Sequence, residues 1–78
     1  MPFKFRPDRP RWVQVAEVIR DRIEAGDYGL GQPIPSEPAL VREFGIARTT
    51  ARKATAWLRD QGLVYTVPNL GSFVQTGD

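Results

Sequence analysis

The sequence predicts a mainly α chain with a small β-hairpin, an α+β domain of three helices and two strands, on three observations. Apolar residues recur at spacings of three and four in three stretches before residue 62 and become strand-like only after it. Glycines stand at 26, 45 and 62, each just past such a stretch, where helices commonly stop. Finally, 78 residues suffice for one small core and not for two, and 41% hydrophobic with 26% charged residues is the composition of a folded chain.

Residues 1–10 are expected to form a flexible basic arm. Pro2, Pro7 and Pro10 oppose a regular helix or central strand, and Lys4, Arg6 and Arg9, with Arg11 just beyond, supply positive charge. Phe3 and Phe5 are either anchors or loose; the sequence leaves both open. The folded domain is read as 11–76. Its first helix, 11–25, carries Trp12, Val15, Ala16, Ile19 and Ile23 on one stripe and Glu17, Arg20, Asp21 and Glu24 on the other.

A turn-rich connector follows, in which only Ile34 can be extended and buried. Ser36 caps a short second helix, Glu37 suits its positive end, and Pro38 is tolerated in the first turn because no donor is needed there. Leu40, Val41 and Phe44 face inward. After Gly45-Ile46 a third helix, 47–61, buries Ala51, Ala54 and Leu58 with Thr55 at the margin. Its other side collects Arg48, Arg52 and Arg59, with Thr49 and Lys53 alongside. A short helix, a tight turn and a longer helix make the helix-turn-helix, whose second helix enters the DNA major groove. Residues 63–67 and 72–75 read as strands around a loop at 68–71, with Tyr65 and Phe73 expected in the core. The whole is a three-helix winged helix-turn-helix.

Composition excludes much chemistry. Without Cys or His there is no disulfide, no thiolate or imidazole metal site and no imidazole base, so neither metal nor cofactor is expected. Glu17, Asp21, Glu24, Asp27, Glu37 and Glu43 are scattered at helix-surface spacing and no nucleophile has an evident base, so the chain is not expected to be an enzyme. The thin core leaves no room for a ligand cavity of about 300–1,000 Å³. No apolar run is long enough to cross a bilayer, and a cytoplasmic protein is expected. Net charge is only +2, but its distribution is uneven. Residues 1–11 hold four bases and one acid, 48–59 hold four bases and no acid, and 12–47 hold three bases and six acids. Two basic clusters are the footprint of a polyanion-binding surface.

Pro35-Ser36-Glu37, Leu40, Phe44-Gly45-Ile46, Arg48-Thr49-Thr50-Ala51-Arg52, Leu58, Gly62-Leu63-Val64 and Gly71-Ser72-Phe73-Val74, in that order and spacing, resemble the N-terminal DNA-binding domain of GntR-type bacterial transcription regulators. The resemblance covers about residues 12–74. It implies that Arg48, Thr49, Thr50 and Arg52 meet bases and phosphates, which suits a guanidinium fork on guanine and a threonine hydroxyl on phosphate. Lys53 and Arg59 join them as phosphate contacts. Ser36 is expected more as a helix cap than as a reader, and Asn69 and Gly71 at the wing tip are expected to supply contacts. Four positions depart from the family pattern: Ala47 replaces a capping hydroxyl, Pro38 removes a helix-two contact, Asn69 replaces a glycine, and Thr55 replaces a large aliphatic. Trp57 occupies a flank that members usually leave polar and is read as packing on Trp12 or the arm, or as a partner surface.

The expected function is a sequence-specific double-stranded DNA-binding transcription regulator, a repressor, that reads the major groove with helix three and braces with the wing. A palindromic operator bound by a homodimer formed on the DNA is the expected partner, with no membrane involved. The alternative is a winged-helix module for protein interaction. No effector or oligomerisation domain is expected within these 78 residues.

Overall fold

Pro10 and Gly26 bracket the first helix, α1 (Arg11–Ala25), and the polarity of the sequence between them decides which side faces in. Val15, Ala16 and Ile19 are buried, while Trp12 and Ile23 sit half-buried at the ends of the stripe. The computed structural model describes residues 3–75. Met1 and Pro2 of the expected arm, and residue 76 at the expected domain end, lie outside that range. Among the described residues no helix is long and apolar enough to cross a membrane.

The second helix, α2 (Glu37–Phe44), begins where Ser36 Oγ accepts the Ala39 N–H at 3.2 Å. It ends at Gly45, whose φ of 64° lies in the left-handed region and whose N–H donates to the Val41 carbonyl. A Cβ at Gly45 would meet nothing within 4 Å, so the obstacle to any other residue is the backbone itself, at about 1–2 kcal/mol. α3 (Arg48–Asp60) follows at once. Its N-cap, Ala47, offers no side-chain bond to the first turn. The buried faces of α1 and α3 meet through Val15, Ile19, Ala51, Ala54 and Leu58, and Leu40 and Phe44 bring α2 against the same core. Thr55 is buried as well, its hydroxyl donating to the Ala51 carbonyl at 3.1 Å.

β1 (Val64–Val67) and β2 (Gly71–Val74) pair antiparallel with Val64 opposite Val74 and Tyr65 opposite Phe73. Val64 and Val74 face the core. Because side chains alternate along a strand, the next pair must face away. Tyr65 and Phe73 therefore stack on each other outside the core, ring centres 5.8 Å apart, which corrects the expectation that they belong to it. The connector supplies a second neighbour for β2: Gly31 and Ile34 donate to the Val74 and Ser72 carbonyls, and Val74 donates to Gln32. Pro33 sits opposite Phe73 at the position whose N–H this ladder does not use, so proline is tolerated. Ile34 is buried, as its sequence context suggested.

Residues 3–10 lie on the domain rather than standing off it. Gln14, only 6% exposed, accepts the Arg6 N–H through Oε1 at 2.9 Å and donates Nε2 to the Arg6 and Arg9 carbonyls at 3.0 and 2.9 Å. Phe3 meets Phe5 and Phe44 edge-on, with centroids 4.8 and 5.1 Å apart, and the Arg11 guanidinium lies over Phe5. Of the two readings of Phe3 and Phe5, anchoring is the one the structure adopts. Gln14 reads as a surface residue in the sequence because its burial depends on backbone groups from a distant, irregular segment.

Candidate nucleic-acid interface

The inward stripe of α3 leaves the remaining side chains of that helix no other place than the surface. Arg48, Thr49, Arg52, Lys53 and Arg59 are exposed, and Thr50 is half-buried. Among the described residues no acid approaches Arg48, Lys53 or Arg59 within ion-pair distance. Arg52 Nε stands 4.0 Å from Glu37 Oε1 with 65% of its side chain exposed, a contact too loose to hold the guanidinium away from another anion. Arg59 Nη1 donates to Thr66 Oγ1 at 3.0 Å, and Thr66 in turn shares a hydrogen bond with Ser72, so this arginine is braced on the wing.

Between these elements lies an open cleft of about 670 Å³, lined by Ser36 and Glu37 at the start of α2, Arg48 and Thr55 of α3, and Asn69, Leu70 and Gly71 of the wing. A cleft of this size was not expected from so thin a core. It exists because it lies between projecting elements and not inside the domain. Ser36 Oγ is engaged as a cap, as expected, yet a hydroxyl that accepts a hydrogen bond keeps its own proton to donate. At the wing tip Val67-Pro68-Asn69-Leu70 closes with the Leu70 N–H on the Val67 carbonyl at 3.0 Å, and Asn69 has φ 68°. Proline followed by a left-handed residue is the type II turn pattern, which explains why asparagine can replace glycine there. Gly71 opens β2 at φ 121°, a conformation that side chains oppose, and the loop is one residue shorter than expected.

The arm contrasts with this face. Arg6 is paired with Asp8 at 2.6 Å, and Arg9 holds Glu17 through two hydrogen bonds of 2.8 and 2.6 Å. That bond keeps the Glu17 carboxyl below its ordinary pKa and raises the Arg9 guanidinium. On α1, Arg20 pairs with Asp21, and Arg22 with Glu43 and the Tyr28 hydroxyl; Glu43 is the main cause that the Arg22 guanidinium is raised. Of the four bases in the N-terminal cluster, Arg6 and Arg9 are thus paired with acids, and Arg11 lies over Phe5. Two of these pairs span eight residues, Arg9 to Glu17, and 21, Arg22 to Glu43, separations invisible to local charge counting.

Sequence reasoning also missed Leu70, which is 72% exposed at the wing tip; an apolar residue inside a tight turn between Asn69 and Gly71 was the available signal. Trp57 is half-buried against the core and shares a shallow surface groove with Trp12, Lys53, Ala56 and Asp60.

Comparison with known proteins places this geometry. Residues 12–74 match the model of the gntR family of bacterial regulatory proteins. An uncharacterised HTH-type transcriptional regulator of Rhizobium meliloti is 42% identical over 67 residues, 86% of this chain and 28% of that protein. The mannosyl-D-glycerate transport/metabolism system repressor MngR of Escherichia coli is 34% identical over the same span, again 28% of its length. This chain therefore spans little more than a quarter of either curated relative. Among solved structures, the DNA-binding domain of AraR in complex with operator ORX1 superposes with a TM-score of 0.86 at 37% identity, covering 95% of this chain and 94% of that one. With three helices and an antiparallel hairpin in that arrangement, and with the family match running from α1 to the end of the wing, the chain belongs to the gntR family of bacterial regulatory proteins.

Proposed function

We propose that this chain is the DNA-binding unit of a sequence-specific transcription regulator, a repressor that occupies an operator and acts by binding and not by catalysis. The observation that carries the reading is the set of exposed cationic side chains on α3, of which Arg48, Lys53 and Arg59 have no acidic partner among the described residues and Arg48 lines the wing cleft. An unpaired guanidinium on a projecting helix can exchange its water and counterions for phosphate and base edges without first breaking an ion pair. The likeness to an AraR domain solved in complex with its operator supports DNA as the partner.

Arg48, Thr49, Thr50 and Arg52, at the leading end of α3, meet the major groove, with Arg48 and Arg52 as base readers. Lys53 and Arg59 neutralise phosphates, and Ser36 donates its hydroxyl proton to one. Asn69 and the backbone at Gly71 add wing contacts. One unit binds weakly, and two copies on a palindrome, assembled as a homodimer on the DNA in the cytoplasm, give the operator complex. The test is selection of duplexes from a random pool by the wild-type chain and by Arg52→Ala. Enrichment of one motif, with one base position relaxed in the variant, is the expected outcome; equal loss on selected and random duplex by Arg52→Ala would contradict base reading.

A further inference from the structure

Two large apolar side chains stand exposed among the described residues, Leu30 at 70% and Leu70 at 72%. A lone exposed leucine is ordinary on any surface, so place decides whether it means anything. Leu30 precedes Gly31, whose N–H bonds the Val74 carbonyl at the open end of the hairpin. Leu70 occupies the opposite end, the tip, and lines the cleft that Arg48 and Ser36 also line. Its backbone is fixed by the Leu70 N–H to Val67 carbonyl bond and by Asn69 in the left-handed region. The structure thus presents an exposed isobutyl group on a fixed backbone beside the cleft that Arg48 lines, and residues 68–72 contain no base.

An apolar group gains nothing beside a phosphate. Against a duplex it is favourable only where deoxyribose and base edges form the wall, inside a groove. With α3 in the major groove, the groove available to a wing beside it is the minor one. There an A·T pair shows only acceptors on a smooth floor, whereas a G·C pair raises the guanine 2-amino group into the space an apolar side chain would fill. We infer that Leu70 enters the minor groove flanking the bases read by α3 and selects A·T pairs there by packing, an inference that rests on the DNA-binding reading above. The selection is steric and apolar, and it needs no cationic side chain at the tip.

Base analogues test it, because they move the 2-amino group without changing the major-groove edge. The probes are the duplexes recovered by the wild-type chain from a random pool, resynthesised at the flanking pairs with A·T, G·C, 2,6-diaminopurine·T or hypoxanthine·C. The wild-type chain is expected to bind the A·T and hypoxanthine·C versions about tenfold more tightly than the G·C and diaminopurine·T versions, the effect of one mismatched pair. Leu70→Ala should lose that difference, and Leu30→Ala should keep it; both side chains are exposed, so neither variant threatens the fold. An unchanged affinity for diaminopurine·T in the wild-type chain, or a penalty that survives in Leu70→Ala, overturns the inference. If that happens while Arg52→Ala still relaxes a base position, DNA reading by α3 stands and only the wing claim falls. If no duplex is enriched at all, both fall.

Discussion

The arm with α1 carries five arginines and the α3 face with the wing three, and most of those arginines are opposites in what they can do. Arg6, Arg9, Arg20 and Arg22 each hold a carboxylate, whereas Arg48, Lys53 and Arg59 hold none among the described residues and Arg52 only skirts one. In the first region the Arg9–Glu17 pair ties the arm to α1 and the Arg22–Glu43 pair ties α1 to α2. In the second the charge remains available to a ligand. Counting basic residues finds both regions; only the placement of the acids separates them.

Leu58, fully buried, lies under both regions, and Leu58→Ala should cost about 2–5 kcal/mol, a large fraction of what so small a domain has, read as a lowered urea midpoint. Next, Arg52→Ala should cost about 1–3 kcal/mol of binding to a selected duplex with stability unchanged, since the side chain is exposed and nearly unpaired. Gln14→Ala removes three bonds that hold the arm; stability should fall by about 1–2 kcal/mol, and amide exchange over residues 6–9 should accelerate while DNA affinity is retained.

The smallest effect concerns pH. Glu17 has a folded pKa below its ordinary value because of the hydrogen bond from Arg9, so its contribution is fully present above the unfolded pKa, near 4.5, and is lost as pH falls through the lower folded value. Glu17→Gln should therefore flatten the acid limb of the stability curve below about pH 4.5 and leave neutral-pH DNA binding unaltered. An acid limb unchanged in that variant would mean that the Arg9 pair does not hold the arm.

Most of the fold was legible because it rests on local signals. Pro10, Ser36, Gly45 and Gly62 set helix ends to within a residue, and the spacing of Val15, Ile19, Ala51, Ala54 and Leu58 identified the inner faces. What escaped depends on partners far along the chain. Gln14 is buried because of Arg6 and Arg9 carbonyls; the 31–34 stretch pairs with β2 because of tertiary packing; Tyr65 and Phe73 point outward because the register set by Val64 and Val74 allows nothing else. The candidate site was legible in its α3 residues, since a helix fixes which of them share a side. The pairing of Arg9 was not, because Glu17 lies beyond the reach of any local count.

The salt dependence of binding to a selected duplex tests the division most directly. Each phosphate contact contributes a slope of about −0.9 in log affinity against log salt, so Lys53→Ala should make the slope shallower by about that amount while Arg9→Ala leaves it as in the wild-type chain. A slope that changes for Arg9→Ala and not for Lys53→Ala would assign the anion-binding surface to the arm and contradict the account.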